Sequence, residues 1–198
     1  MIKKYKDGAF IEPEDTMQRY TNGALQECNA AYRYVDNAWQ EVWVNQKPMT
    51  IVEFTDDYST LSLSSDETKL AWNTYEQSIK TLRVYTAEDE YINPVISFSY
   101  YGLRVYFTSG SAEGKYTTAG GLRVVGIQDG SVTTLKSITL GSSSGETNDY
   151  LEDFTLNGTF TQIGFYITTN GGTSAEEVIT EINIYDVIID GKPYKFEI

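Results

Sequence analysis

Apolar positions along this chain favour the period-two alternation of strands, and turn residues divide that pattern into short segments. PVISFSYYGLRVYFTS (94–109), GGLRVVGIQ (120–128), SVTTLKSITL (131–140), EDFTLNGTFTQIGFYITT (152–169) and ITEINIYDVIIDGKPYKFEI (179–198) are rich in β-branched and aromatic residues and read as strands. Asp129-Gly130, Asn157-Gly158 and Asp190-Gly191 fall at hairpin positions between or within them. In the last segment Ile182, Ile184, Val187 and Ile189 form the set expected to be buried. TIVEFTDDYSTLSLSS (50–65) predicts a strand, a turn at Asp56-Asp57 and a second strand. DETKLAWNTYEQSIKTLRVY (66–85) is ambiguous, because Leu70, Trp72, Ile79, Leu82 and Val84 suit either a short helix or a strand and loop.

The first forty-odd residues follow a different rule. KYKDGAFIEP (4–13), RYTNGALQEC (19–28) and RYVDNAWQEV (33–42) are three copies of one phrase: a basic residue, Tyr, a variable residue, a turn pair, Ala, a large apolar residue and, two positions on, Glu. Asp-Gly and Asn-Gly favour the two-residue type I′ turn, whose central positions both need φ > 0. Folding each copy about its turn sets Tyr5 opposite Phe10, Tyr20 opposite Leu25 and Tyr34 opposite Trp39, with Glu12, Glu27 and Glu41 near the basic residue across the ladder. VNQKPMT (44–50) breaks the pattern and carries Pro48, which places a boundary near Gln46 to Met49. The expected architecture is all-β: a three-copy β-hairpin repeat module over 1–45, then a jelly-roll-like β-sandwich over 50–198.

Composition narrows the chemistry. The 198 residues contain no histidine and one cysteine, Cys28, which removes His-based nucleophile and general-base chemistry, zinc clusters and any internal disulfide. Fifteen Lys and Arg against 28 Asp and Glu leave a net charge of −13, a field that repels phosphate backbones and anionic lipid, so nucleic acid is not an expected partner. The start lacks the apolar stretch of an export signal, and no long uncharged apolar run is present, so membrane insertion is not expected.

Paired carboxylates such as Asp56-Asp57, Glu88-Asp89-Glu90, Glu152-Asp153 and Glu176-Glu177 read as solvated loops. A glycosidase needs two carboxyls facing each other across a cleft, which adjacency in sequence does not provide. Asp56, Asp57, Asn148 and Asp149 carry the hard oxygen ligands of a candidate Ca²⁺ site, although no DxDxDG phrase accompanies them. Gly-rich stretches at 109–121, 141–149 and 169–177 do not spell a phosphate loop and are expected as long loops at one end of the sandwich. The 16 tyrosines and three tryptophans matter more. Sugar rings stack their C–H faces on aromatic side chains and need polar partners for their hydroxyls, so Trp72, Tyr75, Tyr100, Tyr101 and Tyr116 are candidate ligand contacts, with Tyr150 a further aromatic of this kind. Alternation in SFSYYGLRVYF buries one set of these whatever the ligand. Arg104 and Arg123 lie in strand interiors, where an arginine pairs, points to solvent or reads a ligand; Arg104 completes the candidate site.

RYTNGALQEC and YRYVDNAWQEVW resemble the short Arg-Tyr, Asn-Gly or Asp-Gly, Ala-Trp, Glu-Val repeats of tail-associated structural proteins of bacteriophages and prophages. Leu25 stands where those repeats usually have Trp, and Asn37 where they have Gly. The segment after Thr50 resembles the carbohydrate-binding-module type of jelly roll in strand order, length and closing strands. Together the resemblances imply a non-enzymatic virion component of the tail or baseplate, made in the host cytoplasm, homo-oligomeric and often trimeric. They imply other tail proteins and a host cell-surface glycan as partners, and no cofactor beyond the candidate Ca²⁺. Two alternatives stand beside this reading: a purely structural virion assembly protein, and a carboxylate-based glycan-cleaving enzyme.

Overall fold

The computed structural model describes residues 46–198 apart from 56–58, 76–77 and 172–176, together with the backbone of six strands between residues 4 and 44. The chain divides into two compact units, Met1–Lys47 and Pro48–Ile198.

In the first unit, β1 (Lys4–Lys6) pairs with β2 (Ala9–Ile11), β3 (Gln18–Thr21) with β4 (Ala24–Glu27), and β5 (Ala30–Val35) with β6 (Ala38–Val44), each antiparallel. Tyr5 stands opposite Phe10, Tyr20 opposite Leu25 and Tyr34 opposite Trp39. Glutamate falls near the basic residue across the ladder, one step past the position directly opposite it. Arg19 and Arg33 stand opposite Gln26 and Gln40, while Glu27 and Glu41 stand opposite Gln18 and Tyr32. The physical reason is register: once Tyr and its apolar partner face each other, the Glu two positions on from that partner falls one step past the basic residue. The turn pairs and Glu12 lie outside the described residues.

The second unit is built from β7 (Lys47–Phe54), β8 (Ser59–Leu63), β9 (Lys69–Thr74), β10 (Thr81–Thr86), β11 (Tyr91–Ile92), β12 (Val95–Phe107), β13 (Lys115–Tyr116), β14 (Gly120–Gln128), β15 (Ser131–Leu140), β16 (Thr147–Thr155), β17 (Thr159–Phe160), β18 (Gln162–Thr169), β19 (Glu177–Ile189) and β20 (Lys192–Glu197). Five strands in the order β7-β10-β18-β14-β15 form one antiparallel sheet. The other runs β8-β9-β19-β12, with β16 and β13 pairing successive stretches of β12. β20 pairs with both β19 and β7 and so joins the two sheets at one edge. Phe98 of β12 meets Phe165 of β18 with ring centroids 4.9 Å apart, and Phe54 of β7 meets Trp72 of β9 edge-on at 6.5 Å. Contacts of that kind close two sheets face to face over a shared core, so the all-β sandwich follows directly from the inner halves of the alternating strands.

The ambiguous 66–85 segment is strand, connection and strand: β9 and β10 lie in different sheets. Leu70 and Trp72 on β9, and Leu82 and Val84 on β10, are buried, which period two delivers to one face and a helical period would not. Asp129-Gly130 and Asp190-Gly191 take positive φ at both positions (50° and 73°, 51° and 71°) and close the β14–β15 and β19–β20 hairpins. Asn157-Gly158 does not close a hairpin. Here the chain leaves β16 in one sheet for β18 in the other, and Gly158 instead exchanges hydrogen bonds with Asn93, whose N–H donates to the Gly158 carbonyl at 2.7 Å. Ile182, Ile184, Val187 and Ile189 are all buried, although the three-residue step from Ile184 to Val187 breaks strict alternation. Asp186, at φ 55°, and a register shift against Ser97–Ser99 mark a β-bulge whose extra residue returns Val187 to the core side.

Candidate functional site

The outer face of the five-stranded sheet gathers the groups suited to binding. Cross-strand register sets Glu53, Arg83, Tyr166, Arg123 and Ser137 in one row across β7, β10, β18, β14 and β15. The next outward row runs Thr50, Tyr85, Gly164, Val125 and Thr134. Between them lies the inward row of Ile51, Val84, Phe165 and Val124, which packs the core and fixes the backbone under the site. Alternation therefore delivers a polar and aromatic surface on one side of strands whose other side packs the core.

Within the face the side chains hold each other. The rings of Tyr85 and Tyr166 stack at 5.8 Å and 24°, and the Tyr85 hydroxyl donates a hydrogen bond to the Tyr166 hydroxyl. Burial, and then that hydrogen bond, push the Tyr85 phenol well above its ordinary pKa, so it stays a neutral donor. Arg83 places its guanidinium 4.6 Å from the centre of the Tyr166 ring, within cation–π range, and its Nη1 meets Glu53 Oε2 at 2.7 Å. Both members of this ion pair are about two-fifths exposed, so its contribution to stability is small, about 0.2–1 kcal/mol. Its effect is positional, since it fixes the guanidinium over the ring. Arg83 Nε is buried and has no hydrogen-bond partner, which leaves a donor unused beside the ring. Arg123 is exposed on the far side of Tyr166.

The residues singled out in the sequence separate into three places. Trp72, Tyr100 and Arg104 face inward from the second sheet and are buried; Tyr100 donates to Asp149 Oδ2 at 3.3 Å, and its pKa is raised by burial. Tyr101 lies on the outer side of β12, and Tyr116 of β13 pairs with Val105 of that strand; Tyr116 is 47% exposed. Tyr75 follows the end of β9 and is 54% exposed. Tyr150 is exposed on β16. Of the Ca²⁺ candidates, Asp56 and Asp57 lie outside the described residues. Asn148 and Asp149 are successive in β16, so their side chains leave opposite faces: Asn148 accepts from the Tyr185 hydroxyl at 2.9 Å and Asp149 from Tyr100. Among the described residues, no three acidic or Cys side chains gather as metal ligands.

Burial and the hydrogen bond to Glu146 hold the Tyr101 phenol at a pKa pushed up to about 12, from an ordinary 10.0. A folded-state pKa above the unfolded one means that unfolding releases a proton in that window, so stability is intact below pH 10 and falls as pH rises toward 12. Urea midpoints measured across this range should fall less steeply for Tyr101→Phe than for the parent. Equal slopes would remove Tyr101 from the account.

Tyr85, Tyr166, Arg83 and Glu53 escape a reading of the sequence. Their signal is parity: Arg83 and Tyr85 alternate with Leu82 and Val84, and Gly164 and Tyr166 with Phe165 and Ile167. The pairing that brings residues 83 and 166 side by side is long-range and leaves no local mark.

Protein-family patterns and curated proteins give no match to this chain. Among solved structures it is similar to a CBM4 module (17% identity, TM-score 0.36, covering 66% of this chain and 87% of the other). It is also similar to TmCBM61 in complex with β-1,4-galactotriose (9%, TM-score 0.33, 71% and 87%) and to a family 29 carbohydrate-binding module (12%, TM-score 0.35, 73% and 89%). Likeness of this size carries no argument about what the chain binds, which rests on its own side chains.

Proposed function

We propose that the sandwich is a non-catalytic glycan-binding unit that takes a host cell-surface polysaccharide on the outer face of its five-stranded sheet. The observation that carries this reading is the Glu53–Arg83–Tyr166–Arg123–Ser137 row beside the Tyr85–Tyr166 stack. Aromatic rings flanked by two guanidiniums, a carboxylate and hydroxyls supply both halves of sugar recognition: a surface for C–H faces and partners for hydroxyl groups. The row contains one carboxylate, Glu53, already engaged by Arg83, where glycoside hydrolysis calls for two carboxyls across the bond; this favours binding over cleavage.

On the sequence resemblance, the hairpin unit joins this sandwich to other tail or baseplate proteins of a phage or prophage particle, as a homo-oligomer, with a trimer as the working assignment. Titration of the full chain with host wall polysaccharide by calorimetry should give saturable binding without release of reducing ends. Tyr166→Ala should weaken that binding by about tenfold, the equivalent of 1–2 kcal/mol for a lost aromatic contact. No heat with the parent protein ends the glycan reading. Immunogold labelling of purified particles tests the virion assignment separately, and unlabelled particles refute it.

A further inference from the structure

The inner face of the second sheet holds a group of polar atoms that a sandwich core ordinarily excludes. Arg104 of β12 stands opposite Thr180 of β19, and Thr180 opposite Thr74 of β9. All three face inward with Trp72 and Ile182, and are 3%, 1% and 1% exposed. Nε and Nη2 of Arg104, Oγ1 of Thr74, Oγ1 of Thr180 and Nε1 of Trp72 are buried with no hydrogen-bond partner. Guanidinium and indole nitrogens can only donate, and the two hydroxyls each carry an unused proton, so five donor atoms on one row and its neighbour are left unengaged.

Burial of a cation in this state is strongly unfavourable unless a counter-charge joins it. Among the described residues no carboxylate forms an ion pair with Arg104, and burial lowers its pKa. The identity of the unused nitrogens is informative. Nε and Nη2 form one edge of the planar guanidinium, the edge that grips two oxygens of a single carboxylate, phosphate or sulfate. The row also lies at one end of the sandwich, where β9 runs on to β10, β12 to β13 and β14, and β18 to β19.

We infer that this end of the sandwich is a binding site for a small oxyanion, anchored side-on by Arg104 Nε and Nη2 and completed by Thr74, Thr180 and Trp72. The oxyanion is the carboxylate of an acidic sugar or a free sulfate or phosphate; the shared chemistry is two oxygens in one plane bearing negative charge. The site lies between the two sheets, apart from the Tyr85–Tyr166 surface on the outside of one of them, and stands or falls without it.

The test is thermal denaturation and calorimetry of the full chain with sodium sulfate, sodium phosphate or sodium glucuronate at constant ionic strength, with chloride and glucose as controls. At least one of the three oxyanions should raise Tm saturably while chloride and glucose do not. Tighter binding of glucuronate identifies a sugar acid, and tighter binding of sulfate or phosphate a free anion. Arg104→Lys, which keeps the charge and loses the edge, should weaken binding about tenfold or more, and Arg104→Met should abolish it. Thr180→Val and Trp72→Phe should each weaken it, whereas Tyr166→Ala should leave it unchanged. No saturable shift with any of the three oxyanions overturns the site, as does an undiminished shift in Arg104→Met. If Arg104→Met does not fold, parental affinity in Arg104→Lys, Thr180→Val and Trp72→Phe overturns it equally.

Discussion

Trp72→Ala should destabilise the sandwich by about 3–5 kcal/mol, read as a fall in the urea midpoint at unchanged slope. Trp72 is 1% exposed, belongs to the core cluster, and makes a T-shaped contact with Phe54 at 6.5 Å and 71°. It therefore helps hold β9 of one sheet to β7 of the other, and truncation to Ala opens a cavity between two sheets that cannot collapse independently. Against a total stability of about 5–15 kcal/mol, a loss of that size is a large share. The result also decides between the two roles that an aromatic beside polar loops can have. A tryptophan that served only as an exposed sugar platform would change stability by no more than about 0.5 kcal/mol on removal. A midpoint near the parent's would contradict the core placement.

Gly164→Ala should lower glycan affinity as far as Tyr85→Ala does, and destabilise the sandwich by about 1–3 kcal/mol. A Cβ on Gly164 would lie 2.5 Å from Tyr85 Cδ1 and 2.7 Å from the Val84 carbonyl oxygen. The first clash is with the very ring that stacks on Tyr166; the second is with the backbone of the paired strand, which cannot step aside as a side chain can. Gly164 is thus the space into which Tyr85 lies down across β18. Any residue with a Cβ lifts the ring, breaks the hydroxyl contact with Tyr166 and disturbs the β10–β18 ladder. Calorimetry with the polysaccharide that binds the parent protein checks the first effect and thermal unfolding the second. Parental affinity together with parental Tm would show that Tyr85 does not depend on that space.

Strand identity was largely legible along the chain because inward and outward residues alternate with a fixed period. GGLRVVGIQ and SVTTLKSITL coincide with β14 and β15, and the two Asp-Gly pairs that close hairpins do so through positive φ at both positions. The three N-terminal copies likewise carried their own register, since a short turn leaves the Tyr and its apolar partner little choice of position. Errors arose where a local signal was read without its surroundings. Asn157-Gly158 has hairpin composition yet sits where the chain changes sheets, and the choice between those outcomes depends on which partners β16 and β18 find.

Candidate contacts were harder to place, because residue type tells what a side chain can do and not which way its strand faces. Tyr100 and Tyr101 are neighbours in sequence, but one enters the core and the other turns outward. Arg104 and Arg123 look alike in their strands; one is buried with its Nε and Nη2 unpartnered and the other is exposed next to Tyr166.

The sequence by itself determined the all-β class, most strands, the hairpin turns with Asp-Gly, and the buried isoleucine and valine series of β19, because each follows from local φ preference or from period-two burial. Only the tertiary structure decided which residues share a surface. Arg83 meets Tyr166, and Arg104 falls in one row with Thr180 and Thr74, through pairings between strands some eighty residues apart or across three strands, and such pairings are fixed by how two whole sheets bury their apolar faces together.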